Sequence, residues 1–284
     1  KTSLSIQLAH FFKCEILSAD SRQFFKELSI GTAKVTEEEM EGVPHHFVGH
    51  ISIEDEYNVG KFENDAINTL EKLYSNQDIV IMAGGSGLYA DAVCNGIDDI
   101  PKDASVRAQL QEELDLHGIE KLQQELKQLD PEHYEKMNLL NPQRLMRALE
   151  VCRASGKTYT SFRTNTKKER PFKVIKIGLK ADRETMYDNI NRRVHIMLEN
   201  GLLDEVKSVY PQKELNALNT VGYKEIFTHL DGECSLEASV EKIQQNTRRF
   251  AKRKMTWFRR DEYTKWIDIS ELTEIVPYIK SQIK

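Results

Sequence analysis

The stretch DIVIMAGGSGLYADAVCN, residues 78–95, decides the fold. Asp78 to Ala83 holds a short, unbroken apolar run, too short for a helix and bounded by glycine. Such a run reads as a strand buried on both faces. It passes directly into Gly84-Gly85-Ser86-Gly87, after which a helical pattern resumes. A strand that turns through glycines into a helix is the repeating unit of a parallel sheet covered on both sides. The turn also offers chemistry. Glycine has no Cβ, so the backbone there can approach a ligand closely, and Ser86 supplies the only side-chain hydroxyl in the turn.

The same alternation appears upstream. Thr2 to Phe12 places Leu4, Leu8, Phe11 and Phe12 at helical spacing, and Cys14 to Ser18 reads as a short buried strand ending at Asp20-Ser21-Arg22-Gln23. Residues 58–75 form an amphipathic helix with Val59, Phe62, Ala66, Leu70 and Leu73 on one stripe. Downstream, 173–179 (KVIKIGL) returns to strand pattern, followed by a long helix with Met186, Ile190, Val194 and Met197 in register. Between these, 103–165 is rich in Leu, Gln, Glu and Lys, with helical periodicity and no convincing strand. Within it, Asn141 is a helix N-cap, Pro142 the first helical position and Gly156 the stop. The expected architecture is an α/β parallel-sheet core, residues 1–105 and 170–284, with a helical C-terminal part. A helical insertion domain over 106–169 interrupts it.

With 30% charged and 39% hydrophobic residues, the 284-residue chain has the composition of an ordinary globular protein. No apolar run approaches the roughly 20 residues of a membrane helix, and no signal-peptide pattern opens the chain. Cys14, Cys94, Cys152 and Cys234 are far apart and lack metal-ligand spacing. They are expected to be small buried hydrophobes in a cytoplasmic protein. A net charge of −5 argues against nucleic acid, but its distribution argues the other way. Glu241 to Arg260 carries eight Lys or Arg against one Glu. On a helix, Phe250 and Trp257 share an apolar face with Ala251, Met255 and Phe258. Arg248 with Lys252, and Arg249 with Arg253, form basic rows beside it. With no acid from Asn246 to Arg260 to pair with these cations, the segment reads as a polyanion surface.

Lys1-Thr2 matches the last two residues of a phosphate-binding loop, G-x-x-x-x-G-K-[ST]. In that motif the Lys reaches phosphates, the hydroxyl binds Mg²⁺, and the next helix aims its N-terminus at the anion. The expectation is that the loop's glycines and a first, central strand precede Lys1. Asp20 lies just past the carboxyl end of a strand, where open α/β sheets place ligands. There it can take a proton from a nucleophile or hold Mg²⁺ through water. Gln143 and Arg147 share a helix face near Arg144 and suit a nucleotide edge or backbone. Each feature also has a plain structural reading: a native start, a turn Asp, a tight connection, a solvated helix face. His45, His46 and His50 fit no zinc spacing and are read as structural.

Taken in order, the motifs resemble the tRNA dimethylallyltransferase family, bacterial type. They are KT at 1–2, ILSADSRQ at 16–23, IGTAKVT at 30–36, GVPHHF at 42–47, AGGSGLY at 83–89, NPQRLMRALEV at 141–151, TVGYKEI at 220–226 and RRFAKRKMTWFRR at 248–260. The resemblance spans nearly the whole chain. It implies a P-loop nucleotide-kinase-like core with a helical insertion that contacts tRNA. It implies transfer of a dimethylallyl group from dimethylallyl diphosphate to N6 of the adenosine 3′ of the anticodon, with Mg²⁺. Asp20 would be the general base, and Ser86 would line the reaction channel in place of the Thr of many relatives. Lys1, Thr2, Arg248 and Arg253 would hold diphosphate, with Thr2 on the metal. Ser21, Arg22, Gln23, Gln143, Arg144, Leu145, Met146 and Arg147 would contact the flipped-out adenosine and its neighbours, with Arg107, Arg249 and Lys252 as further tRNA contacts. A monomer acting on the tRNA anticodon stem-loop, away from membranes, is expected. The rival readings are a P-loop small-molecule kinase, a prenyltransferase acting on free adenylate, and a non-catalytic tRNA-binding protein.

Overall fold

The computed structural model describes residues 1–164 and 166–283; the end of the expected helical stretch at Asn165 and the final Lys284 lie outside them. The chain divides into two units, residues 1–94 with 170–284, and residues 95–169.

The first unit opens with α1 (Thr2–Phe12) and β1 (Ile16–Ala19), then β2 (His45–His46), α2 (Val59–Tyr74), β3 (Ile81–Gly84) and α3 (Gly87–Asn95). The sheet order is β2-β1-β3, all parallel, with Ile16 opposite Ile81 and Ala19 opposite Gly84. All four residues of β1 are buried, as expected for a strand covered on both faces. Asn58 starts α2 by accepting hydrogen bonds from Gly60 and Lys61 N–H groups. Phe62, Ala66 and Leu70 on that helix pack with Leu17, Ala19 and Phe24. Phe24 stacks on Phe62 with ring centroids 5.1 Å apart.

The second unit is helical: α4 (Ala104–His117), α5 (Ile119–Leu129), α6 (Pro131–Lys136), α7 (Pro142–Ser155) and α8 (Tyr159–Phe162). As the sequence indicates, Asn141 caps α7 by accepting from Arg144 N–H, and Gly156 ends it in the left-handed region. Leu110, Leu122, Leu126, Leu145, Met146 and Leu149 form its core. Arg153 bridges Glu113 and Glu125 at 2.8 and 2.6 Å, and this pairing holds the Glu113 carboxyl down at about 2. The unit begins at residue 95 rather than at 106, because the chain ahead of α4 is bound into it. Arg147 donates to the carbonyls of Ile100 and Pro101, Asp103 N–H donates to Glu150, and Thr164 donates to Asp98.

The remaining elements return to the first unit: β4 (Ile177–Lys180), α9 (Arg183–Glu199), α10 (Leu202–Val209), α11 (Tyr223–Leu230), α12 (Leu236–Phe258), β5 (Lys265–Asp268) and α13 (Ile275–Ile283). β4 and β5 pair in parallel as a second small sheet. A cavity of about 670 Å³ is lined by Ile81 and Ala83 of β3, Ile177 and Leu179 of β4, Leu8 of α1 and Ile279 of α13. Residues 246–258 of the basic segment form the C-terminal half of the 23-residue α12, and Arg259 and Arg260 follow its end.

His50 is held among aromatic rings. Its ring lies edge-on to Phe24, Phe47 and Tyr57, and among the described residues neither ring nitrogen has a hydrogen-bond partner. Burial lowers its pKa from the ordinary 6.5, with Asp65 opposing and Lys26 reinforcing the shift. The folded state therefore favours neutral His50, while the unfolded chain takes up the proton first. Stability from this site is full above about pH 6.5 and falls as pH drops below it. The urea midpoint is expected to fall between pH 7.5 and 5.5, and His50→Phe, which removes no hydrogen bond, is expected to lessen that fall.

Candidate active site at the carboxyl end of the sheet

Parallel pairing of Ala19 with Gly84 brings the ends of β1 and β3 side by side, so Asp20 and Gly85-Ser86 emerge together. Ser86 N–H donates to the Ala19 carbonyl at 3.1 Å. Ser21 N–H donates to Ser86 Oγ at 2.9 Å, and the two hydroxyls are 3.0 Å apart. Arg22 N–H donates to Asp20 Oδ1 at 3.3 Å. The carboxylate and the Ser86 hydroxyl thus share one end of the sheet, held by backbone bonds.

The glycines of the turn are needed for space. A Cβ on Gly84 would lie 2.1 Å from the Ala19 carbonyl oxygen, one on Gly85 2.4 Å from Lys254 Nζ, and one on Gly87 2.3 Å from Trp257 Cδ1. Backbone cannot move aside as a flexible side chain can. Gly84→Ala is therefore expected to force β1 and β3 apart, costing about 1–3 kcal/mol and displacing Asp20; a drop in Tm together with lost activity checks this. Trp257 also donates to Asp91 at 2.9 Å, which fastens α12 to α3 beside the turn.

Cations gather around Asp20. Lys1 stands at the start of α1, whose first turn receives no side-chain cap. An uncapped helix N-terminus with an adjacent Lys favours an anion. Lys1 is exposed by surface area, yet the protein packed near its ammonium lowers its pKa. Asp20 opposes this shift, and Lys254 and Arg193 add repulsion. Lys254 behaves alike: desolvation lowers its pKa, Asp20 opposes, and Arg193 reinforces. Among the described residues, none of these three cations is within ion-pair distance of a carboxylate.

The other expected site residues are distributed as follows. Arg22 donates to the carbonyls of Asn216, Ala217 and Asn219, and Gln23 to those of Thr32 and Ala33. Both side chains thus hold loops around the site. Arg248 donates to Asn191 at 2.6 Å and lies over the Tyr187 ring. Arg253 lies over Phe250 and lines a second cavity of about 720 Å³ with Arg22, Asn219, Lys224, Lys242 and Asn246. Arg249 and Lys252 are exposed. In the helical unit, Arg107 bonds Gln143 and is 3.8 Å from Glu150, which Arg147 meets at 3.1 Å; Arg144 and Gln143 are exposed. Leu145 and Met146, expected at a tRNA contact, are instead fully buried in that unit's core. Their side chains face away from solvent and set the position of α7, while Gln143 and Arg144 before them are exposed.

Lys254, Arg193 and Lys224 were not singled out in the sequence. Lys254 had a usable signal, since it lies three residues before Trp257 on one helical face. For Arg193 and Lys224 one sequence carries none; only the fold brings α9 and α11 to these places.

Open α/β sheets bind their ligands beyond the carboxyl ends of the strands, and here that end carries a carboxylate, a hydroxyl and nearby cations. Residues 23–261 match the family described as IPPT: IPP transferase. The chain is 53% identical to the tRNA dimethylallyltransferase of Christiangramia forsetii, over all of this chain and 94% of that one. It is 50% identical to tRNA dimethylallyltransferase 1 of Bacteroides fragilis, over all of this chain and 95% of that one. The full-length tRNA isopentenylpyrophosphate transferase structure from Bacillus halodurans superposes with a TM-score of 0.72 at 33% identity, covering 99% of this chain and 92% of that one. A eukaryotic dimethylallyltransferase acting on tRNA gives 0.75 at 26% identity, covering 94% and 70%. The chain belongs to the IPP transferase family.

Proposed function

We propose that this protein is a tRNA dimethylallyltransferase. It moves the dimethylallyl group of dimethylallyl diphosphate to N6 of the adenosine 3′ of the anticodon and releases diphosphate. The observation that carries this reading is the meeting of Asp20, Ser86 and cations without carboxylate partners at one end of the sheet, in a chain alike end to end to such enzymes.

An exocyclic aryl amine is a poor nucleophile, so a positioned base assists its attack. Asp20 takes the N6 proton as the bond from N6 to the prenyl C1 forms. The C1–O bond breaks, and its electron pair leaves with diphosphate. Ser86, held by Ser21, orients the amine or the bridging oxygen. Lys1 and the start of α1 attract the diphosphate. The Thr2 hydroxyl and the Asp20 carboxylate would be the residues to hold Mg²⁺, an ion that favours one or two carboxylates together with phosphate oxygens. When bound, it neutralises charge on the leaving group. For tRNA, the exposed Arg249 and Lys252 and the cavity holding Lys224, Lys242 and Arg253 supply a basic surface on the first unit; Arg144 and Gln143 supply polar contacts on the second.

Incubation with radiolabelled dimethylallyl diphosphate, Mg²⁺ and unmodified tRNA reading U-initial codons tests the proposal. Label is expected in the tRNA and is expected to be lost when the metal is chelated. ATP consumption on a small acceptor, with no label in tRNA, would establish the kinase reading instead.

A further inference from the structure

We infer that Lys254 is the cation that meets the departing diphosphate at the Gly84-Gly85 turn, a role that rests on the reading of this site as a prenyl-transfer centre. Three observations carry it. The Lys254 ammonium lies so close over Gly85 that a Cβ there would be 2.4 Å from it, so the glycine makes the room it occupies. Trp257, one turn along the same face, is fixed to Asp91 and packs over Gly87, so the helix cannot swing Lys254 away from the turn. Lys254 contacts the Phe250 ring, 4.4 Å from its centroid, but among the described residues it makes no ion pair, although protein surrounds it and Asp20 acts on it. A cation crowded by protein with no carboxylate partner is suited to a ligand anion. Of the two arginines of α12 expected on diphosphate, Arg248 is engaged with Asn191 and Tyr187, and Arg253 lines the second cavity rather than the Gly85 turn. As the C1–O bond breaks, its electron pair adds negative charge to the diphosphate while the N6 proton passes to Asp20. Lys254, held at the Gly85 turn next to the strand end that carries Asp20, takes up the charge on the leaving group.

The test is calorimetric titration with inorganic diphosphate, alongside steady-state transfer to tRNA, for wild type, Lys254→Met and Lys254→Arg. Met keeps the packing on Phe250 and removes the charge. Lys254→Met is expected to weaken diphosphate binding at least tenfold and raise the donor KM, with tRNA affinity and Tm unchanged; Lys254→Arg is expected to restore most of the binding. Diphosphate affinity and donor KM within twofold of wild type in Lys254→Met would overturn the inference. Should that variant unfold, Lys254→Gln in the same titration decides by the same criteria. Failure of the underlying function shows separately, as absence of any transfer by the wild-type protein.

Discussion

Asp20→Asn is expected to lower kcat by about 10²–10⁴-fold, the usual contribution of a positioned general base. That range corresponds to about 3–5 kcal/mol of transition-state stabilisation. Asn fills the same space, and its carbonyl oxygen can still accept from Arg22 N–H, which Asp20 Oδ1 now does at 3.3 Å. The local turn should therefore survive, and with it the Ser21–Ser86 contact. What is lost is the ability to take a proton. The charges act on substrate binding in two opposing ways. Asp20 is an anion near Lys1 and Lys254, the cations expected to attract diphosphate. Neutralising it removes a repulsive neighbour of the donor but also a carboxylate that would hold Mg²⁺, so the diagnostic change is the collapse of kcat rather than a shift in donor KM. tRNA affinity should change less than threefold, because the exposed basic residues of α12 are untouched. A variant that loses tRNA binding and turnover together would mark Asp20 as a structural residue. One that keeps full turnover would remove it from the chemistry.

The parts of this picture legible in the sequence are those written in local pattern. The apolar run before Gly84-Gly85-Ser86-Gly87 gave β3 and the start of α3, and Asn141, Pro142 and Gly156 gave both ends of α7, because capping is decided within a few residues. Asp20 and Ser86 could be placed at strand ends for the same reason. Their adjacency depends on register between strands more than sixty residues apart, and no local pattern encodes it. The basic segment was legible as charge, but its division of labour was not. Which of Arg248, Arg253 and Lys254 turns towards Asp20 depends on where α12 lies against α3, and the Trp257–Asp91 bond helps to fix that position. The motif residues Leu145 and Met146 fall inside a recognisable string, yet helical phase turns them into the core while Gln143 and Arg144 stay outside. The helical unit begins eleven residues ahead of the expected 106, and residues 95–105 have no periodicity of their own to signal it. Side chains elsewhere in that unit, chiefly Arg147 and Glu150, hold them there.

Glu205→Ala is expected to be the most damaging single change to stability outside the hydrophobic cores. The carboxylate of this α10 residue accepts from the backbone N–H groups of Ser29, Ile30 and Gly31 at 2.9, 2.7 and 2.9 Å, and from the Tyr223 hydroxyl at 2.6 Å. Tyr223 is fully buried, and burial together with Glu205 pushes its phenol pKa far up, so it stays a hydrogen-bond donor at any working pH. Hydrogen bonds to a charged acceptor contribute more than neutral ones, and donors left buried without a partner cost more still. Losing one acceptor that serves four donors should cost about 3–5 kcal/mol, a size seen when a buried polar network is broken. The consequence reaches the site. The 29–31 turn leads into Thr32 and Ala33, whose carbonyls hold Gln23, three residues from Asp20. Freed from Glu205, that turn should exchange its amide hydrogens faster at Ile30 and Gly31, and turnover should fall through loss of order around Asp20. Glu205→Gln retains one acceptor oxygen and is expected to lie between the two. Urea denaturation and hydrogen exchange measure both effects. An Ala variant within 1 kcal/mol of wild type would mean that water replaces the carboxylate at this turn.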